Sequence, residues 1–207
     1  MTAVAESAEK AAAPEESARA LTGRSTAWWG MVVLIMTEGM IFATFLSSYL
    51  FVRAASKEWP PPPIESPELG KIWFFTAILL GSSIPMAWAE HGIRKGNVRR
   101  LKIGLALVLV MGLTFFGYLI YEYHELTFGI RDNAYASLFY SITGLHGAHV
   151  MGGLLMIAML QVKAWMGKFS AERHVTVQVI GMYWHFVDGV WVFVFSTLYL
   201  STHYLKA

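Results

Sequence analysis

Residues 103–121 read IGLALVLVMGLTFFGYLIY, nineteen positions without a single charge. A stretch of about 20 apolar residues is what a helix needs to cross the hydrocarbon of a bilayer. The run lacks the alternation of a barrel strand. Hydrocarbon offers nothing to a bare backbone group, so helix is the state this segment must adopt. Four further stretches of this kind flank it, at 27–52, 72–89, 136–162 and 175–205. The 72–89 stretch is also free of charge and is predicted to kink at Pro85. The fold class expected is therefore all-α: a polytopic membrane protein built as a bundle of five transmembrane helices over residues 27–207. Residues 1–26 precede it as a mobile cytoplasmic tail.

Composition agrees. The chain has 207 residues, of which 56% are hydrophobic and only 14% charged, against about 25% charged in a soluble domain. A net charge of +2 gives no footprint for nucleic acid, and the absence of cysteine excludes disulfides, thiolate metal sites and thiol nucleophiles. The tail is rich in Ala, Glu and Ser. It has no apolar core after a basic start, so it does not read as a signal peptide, and Glu6, Glu9, Glu15 and Glu16 count against a transit peptide. Lys and Arg set the orientation. The tail, the 90–102 loop and the 163–174 loop together hold eleven, while Arg53, Lys57, Lys71, Arg131 and Lys206 make five on the other side. The positive-inside rule places the N-terminus in the cytoplasm and the C-terminus outside. In the first outer loop, Trp59 is followed by four prolines, Pro60 to Pro63. They predict an extended polyproline-like rod, a stiff spacer in preference to a docking surface.

Small residues at a spacing of four, Gly144, Ala148 and Gly152 in one span and Ala77 and Gly81 in another, are expected to let helices approach closely. The aromatics of the last span are expected at the interfaces, or facing lipid or a partner. Ionisable groups within spans are few, and each is a functional hypothesis by default. Glu38 stands alone in the first span, either carrying protons or hydrogen-bonded to a histidine of another helix, the latter preferred. His146 and His149 lie three apart on one helix, and His185 and Asp188 repeat that spacing on the next. Three histidines and two carboxylates could ligate zinc, copper or iron; an interhelical hydrogen-bond network is the preferred reading, with no metal assigned. Glu122, His124 and Glu125, at an outer helix end, read as solvated or capping groups.

The runs Gly144-Leu145-His146-Gly147-Ala148-His149-Val150 and Tyr183-Trp184-His185-Phe186-Val187-Asp188-Gly189-Val190-Trp191 resemble subunit III of the haem–copper respiratory oxidases. Thr37-Glu38-Gly39-Met40-Ile41-Phe42 is similar to the family's helix with a membrane-embedded glutamate. Tyr121-Glu122-Tyr123, Tyr135-Ala136-Ser137 and Glu90-His91-Gly92 fit the same template in the same order. The resemblance spans about residues 27–205, and five spans match the short bacterial form that lacks the first two helices of seven-span members.

That resemblance implies an accessory, non-catalytic subunit without haem or copper of its own, those cofactors residing in partner subunits. Its main contact would be oxidase subunit I, with subunit II, membrane lipids and other respiratory complexes as further partners, in a bacterial inner membrane. It would bind phospholipid and support proton uptake and the stability of the reaction centre. Glu38, His146, His149, His185 and Asp188 would form the buried polar network. Arg94, Lys95, Arg99, Arg100 and Lys102 would meet lipid headgroups. The proline-rich loop resembles the cytochrome c oxidase branch, with quinol oxidase and nitric oxide reductase accessory subunits as alternatives. From other classes, a self-contained metal- or proton-handling membrane protein using the same buried set, and a small transporter with Glu38 as its proton site, remain to be weighed.

Overall fold

The computed structural model describes residues 23–62, 64 and 69–204. Most of the expected 1–26 tail therefore lies outside the described residues. Helix α1 spans Thr26–Ala55, α2 Leu69–Gly81, α3 Ser83–Arg94, α4 Val98–Glu125, α5 Ala134–Trp165 and α6 Val175–Phe195. A five-residue π-helical turn, Ser196–Leu200, then carries the chain into a short α7, Ser201–Tyr204. These elements form five helical units long and apolar enough to cross a membrane, with α2–α3 and α6–π–α7 each making one unit. Among the described residues there is no strand.

Helices α1, α4 and α5 outrun their apolar stretches because polar residues start them. Ser25 accepts from the Trp28 amide (3.3 Å), Asn97 from that of Arg100 (3.0 Å) and Asn133 from that of Ala136 (2.9 Å). Each satisfies one of the four amides a helix leaves unpaired at its start. The expected kink is a break at Ser82, three residues before Pro85. Proline has no amide to offer the Gly81 carbonyl. The turn between α3 and α4 is short because Gly96 takes φ 76°, a left-handed value that a side chain would penalise.

Neighbours in space are only partly neighbours in sequence. Helix α4 packs on α2, α3 and α5; α6 packs on α1, α3 and α5; and α1 packs on α5 and α6. The first span thus docks onto the last two.

The tightest approaches differ from the expected stripe. Ala148 and Ala77 are exposed, Gly144 and Gly152 meet only the hydroxyl tips of Tyr123 and Tyr183, and Gly81 meets the end of Met111. The close contacts fall at Gly147, where a Cβ would stand 2.8 Å from Leu119, and at Gly112 and Gly153, which flank the Trp184 ring. Gly104 is as tight, with Ala89 and the Pro85 carbonyl oxygen each 2.7 Å from where a Cβ would stand, and spacing alone does not say which glycines face a neighbouring helix. Most aromatics of the last span also point inward. Tyr183, Trp184, Trp191, Phe195 and Tyr199 are buried, while Phe193 is exposed. Trp184 donates to Ser82 Oγ (2.8 Å) and Trp191 to Thr76 Oγ1 (3.0 Å), so both indole N–H groups are satisfied in an apolar interior.

The proline segment is not a straight rod. Trp59–Pro60 is a cis peptide, and the Ile64 amide donates to the Pro61 carbonyl (3.1 Å), closing a turn. Trp59 folds back, buried, to donate to the Tyr49 hydroxyl (2.8 Å) and to meet Tyr135 edge-on.

Candidate functional site

The ionisable side chains singled out within the spans separate into three places. In the first, α1 and α5 bring Glu38 Oε2 within 3.1 Å of His149 Nε2. The other ring nitrogen lies 2.8 Å from the Leu145 carbonyl, the acceptor of its own helix, which makes Nδ1 the donor there. Neutral His149 then presents Nε2 as an acceptor for a protonated Glu38, and an imidazolium presents a donor to the carboxylate. Either state closes the pair. Phe42 stacks edge-on against His149 (centroids 5.0 Å) and screens one side. The Glu38 side chain keeps 26% of its surface open.

In the second place, α3 and α6 are bridged by a serine. Ser83 Oγ donates to Asp188 Oδ2 at 2.5 Å and lies 3.0 Å from His185 Nδ1. His185 and Asp188 do not bond each other; the hydroxyl of the neighbouring helix joins them. Asp188 is buried, with Oδ1 lacking a partner among the described residues, while His185 is exposed on the bundle surface.

His146 occupies the third place alone. It is fully buried with neither ring nitrogen hydrogen-bonded among the described residues. Its ring packs against Trp191 (4.6 Å), Phe115 (6.0 Å) and Phe42 (6.4 Å). The expectation of one network joining all five residues is therefore corrected. Positions three apart on a helix diverge by about 60°, enough to send His149 to α1 and His146 into an aromatic cage. Among the described residues no group of three His, Cys, Asp or Glu side chains is close enough to hold a metal ion.

Two further carboxylates belong with these. Glu122 is buried at 8% exposure and accepts from the Tyr199 hydroxyl (3.1 Å), which corrects its reading as a solvated or capping group. The π turn sets Tyr199 there. Glu90 sinks between α3 and α6 where Gly181 leaves room; a Cβ at Gly181 would overlap Glu90 Oε1. Arg94 reaches Glu90 Oε2 (3.5 Å), and Gln178, with its amide oriented by this contact, accepts from Arg94 Nε and Nη2 at 3.1 and 3.3 Å. Ser83 and Tyr199 have one warning in common, a polar group in an apolar run that here finds its partner on a second helix. Their partners, 105 and 77 positions away for Ser83 and Tyr199, are invisible to spacing.

At the same end as Arg94, Lys102 sits over the Trp165 ring (4.5 Å) and Arg100 over Trp88 (5.8 Å). Lys95 and Arg99 are exposed. Cations stacked on tryptophans form a collar of the kind that marks a membrane–water boundary.

Fold and site together define a multi-pass membrane protein whose buried polar groups hydrogen-bond one helix to another. The family model for cytochrome c oxidase subunit III matches residues 16–203. Cytochrome c oxidase subunit 3 of Thermostichus vulcanus is 34% identical over 84% of this chain and 87% of its own length. That of Alkalihalophilus pseudofirmus is 34% identical over 90% and 92%. The Arabidopsis thaliana protein is also 34% identical, but the match covers 67% of its length. The chain belongs to the cytochrome c oxidase subunit III family, and its role is that of an accessory subunit of the oxidase.

Proposed function

We propose that the chain is a subunit of a bacterial cytochrome c oxidase of the inner membrane, with its N-terminus in the cytoplasm. It packs mainly on subunit I, contacts subunit II, and can take part in larger respiratory assemblies. Haem and copper are held by those partner subunits. The chain contributes a stable helical wall, bound phospholipid and support for proton uptake. The observation that carries this reading is the use to which the polar groups within the spans are put. Glu38 with His149, Ser83 with His185 and Asp188, and Tyr199 with Glu122 all link separate helices, as a supporting subunit requires. Arg94, Lys95, Arg99, Arg100 and Lys102 would hold anionic headgroups at the cytoplasmic boundary. Lys102 and Arg100, with their cationic heads stacked on tryptophan, suit this best, since an aromatic ring at the boundary holds a cation at headgroup depth.

Purification through a tag on this chain in mild detergent tests the reading. Co-purifying haem and the large oxidase subunits are expected, with phospholipid bound. The Arg99→Gln, Arg100→Gln, Lys102→Gln variant should retain less anionic lipid by mass spectrometry, and deletion of the chain should leave oxidase that turns over but inactivates faster. A haem-free preparation, or an oxidase lasting as long without the chain, would overturn it.

A further inference from the structure

His185 stands near the middle of its span, and it is exposed. Most other exposed side chains at that depth are apolar and content in hydrocarbon: Ile84 on α3, and Val192 and Phe193 on α6. An imidazole is not. The hydrogen bonds inside the chain fix what it presents. The Ser83 hydroxyl gives its only proton to Asp188, so the Ser83 oxygen accepts from His185 Nδ1–H. Nε2 of the neutral ring is left with a bare lone pair and no hydrogen-bond partner among the described residues, on a side chain that is exposed. Lipid tails cannot donate to it, and headgroups lie about 15 Å away, half the hydrocarbon thickness. One turn along the same face, Gly189 has open space where a Cβ would stand, and Val192 continues the stripe a further turn on. The surface is thus low beside a single hydrogen-bond acceptor, the relief that another helix can approach closely.

We propose that the α6 face carrying His185, Gly189 and Val192 seats a transmembrane helix of another subunit of the oxidase, and that this helix donates a hydrogen bond from a hydroxyl, amide or indole to His185 Nε2. The Ser83–Asp188 pair behind His185 is the positioning element that holds the tautomer. The inference rests on the reading of this chain as an oxidase subunit and names the face that reading leaves unassigned.

The test uses the assembled oxidase in its own membrane. A photoreactive benzoylphenylalanine is placed at Val192, and in a separate chain at Met36, an exposed position on α1. The chain contains no cysteine, so a single cysteine at Val192 gives an independent attachment point for a thiol-linked photoprobe. Irradiation should join the Val192 probe to a transmembrane peptide of another oxidase subunit, identified by mass spectrometry. His185→Phe, which keeps the ring's bulk and loses its acceptor, should lower retention of the chain on the haem-containing core through detergent washing by about threefold to tenfold, the range expected for an interhelical hydrogen bond in a membrane. Co-purification with haem while the Val192 probe labels only lipid or a second copy of this chain would overturn the docking face and leave the subunit reading standing. Adducts without any loss on His185→Phe would overturn the hydrogen-bonded anchor. A chain that brings no haem or oxidase subunit with it would overturn the subunit reading and this inference together.

Discussion

Single side chains carry the bundle's specificity at a few positions where size or polarity allows no substitute. At Gly181 an added methyl would overlap the Glu90 carboxyl. Gly181→Ala should cost about 1–3 kcal/mol, the usual penalty for overfilling a packed site. Thermal unfolding in detergent, followed by helical circular dichroism, should show the loss, and Gly181→Ala with Glu90→Ala should recover part of it. Tyr199→Phe removes the donor to a buried carboxylate and should cost a further about 1–3 kcal/mol. Its Glu122→Gln partner variant tests the pair, since an amide oxygen still accepts from Tyr199. At this scale the sequence was partly legible. Glu38, His149, His185 and Asp188 announce themselves as ionisable groups in apolar runs, and the structure gives each a hydrogen-bond contact. His146 announces itself in the same way and has none among the described residues. Composition cannot tell an imidazole that bonds from one that packs as a flat ring against Trp191.

Among the elements, the π-helical turn at Ser196–Leu200 does the most positioning. A π turn holds one residue more than the α-helix it interrupts, and so rotates everything after it. The residues it rotates are Tyr199, bonded to Glu122, and Ser201, whose hydroxyl and carbonyl accept from Arg53 (2.5 and 3.0 Å). Inserting one alanine after Phe195, ahead of the turn, should carry both contacts away by about 100°. The expected result is a loss of thermal stability at least as large as in Tyr199→Phe combined with Arg53→Ala. Equal stability of the insertion variant and the parent would show that the register of the turn positions nothing. No hydropathy window reveals such a turn. The five spans were legible because length and polarity decide them, and the break near Pro85 was legible because proline lacks an amide. The helix ends were not, because Ser25, Asn97 and Asn133 extend each helix into polar sequence by capping. Nor was the folded-back proline segment, whose shape depends on Trp59 finding Tyr49 and Tyr135.

Taken whole, the molecule is a set of spans in which the first is held by the last two. Its fixings are specific: Glu38 to His149 near the middle, and Arg53 to Ser201 at one end. The covalent connection through residues 56–68 is secondary to these. Co-expressed pieces 1–62 and 69–207 should therefore associate in the membrane and co-purify, whereas Glu38→Leu with Arg53→Ala in the first piece should lower recovery about tenfold or more, two interhelical bonds' worth. Co-purification unaffected by that pair of changes would mean that apolar packing of α1 on α5 and α6 suffices. The order of those contacts also has a schedule built into it. His149 lies 111 positions after Glu38, and Ser201 lies 148 after Arg53. At a synthesis rate of about 5–20 residues per second, Glu38 waits roughly 6 to 22 s at the ribosome before its partner even exists. Helix α1 is thus made well before the helices it docks on, and Glu38 is without His149 until α5 has been synthesised.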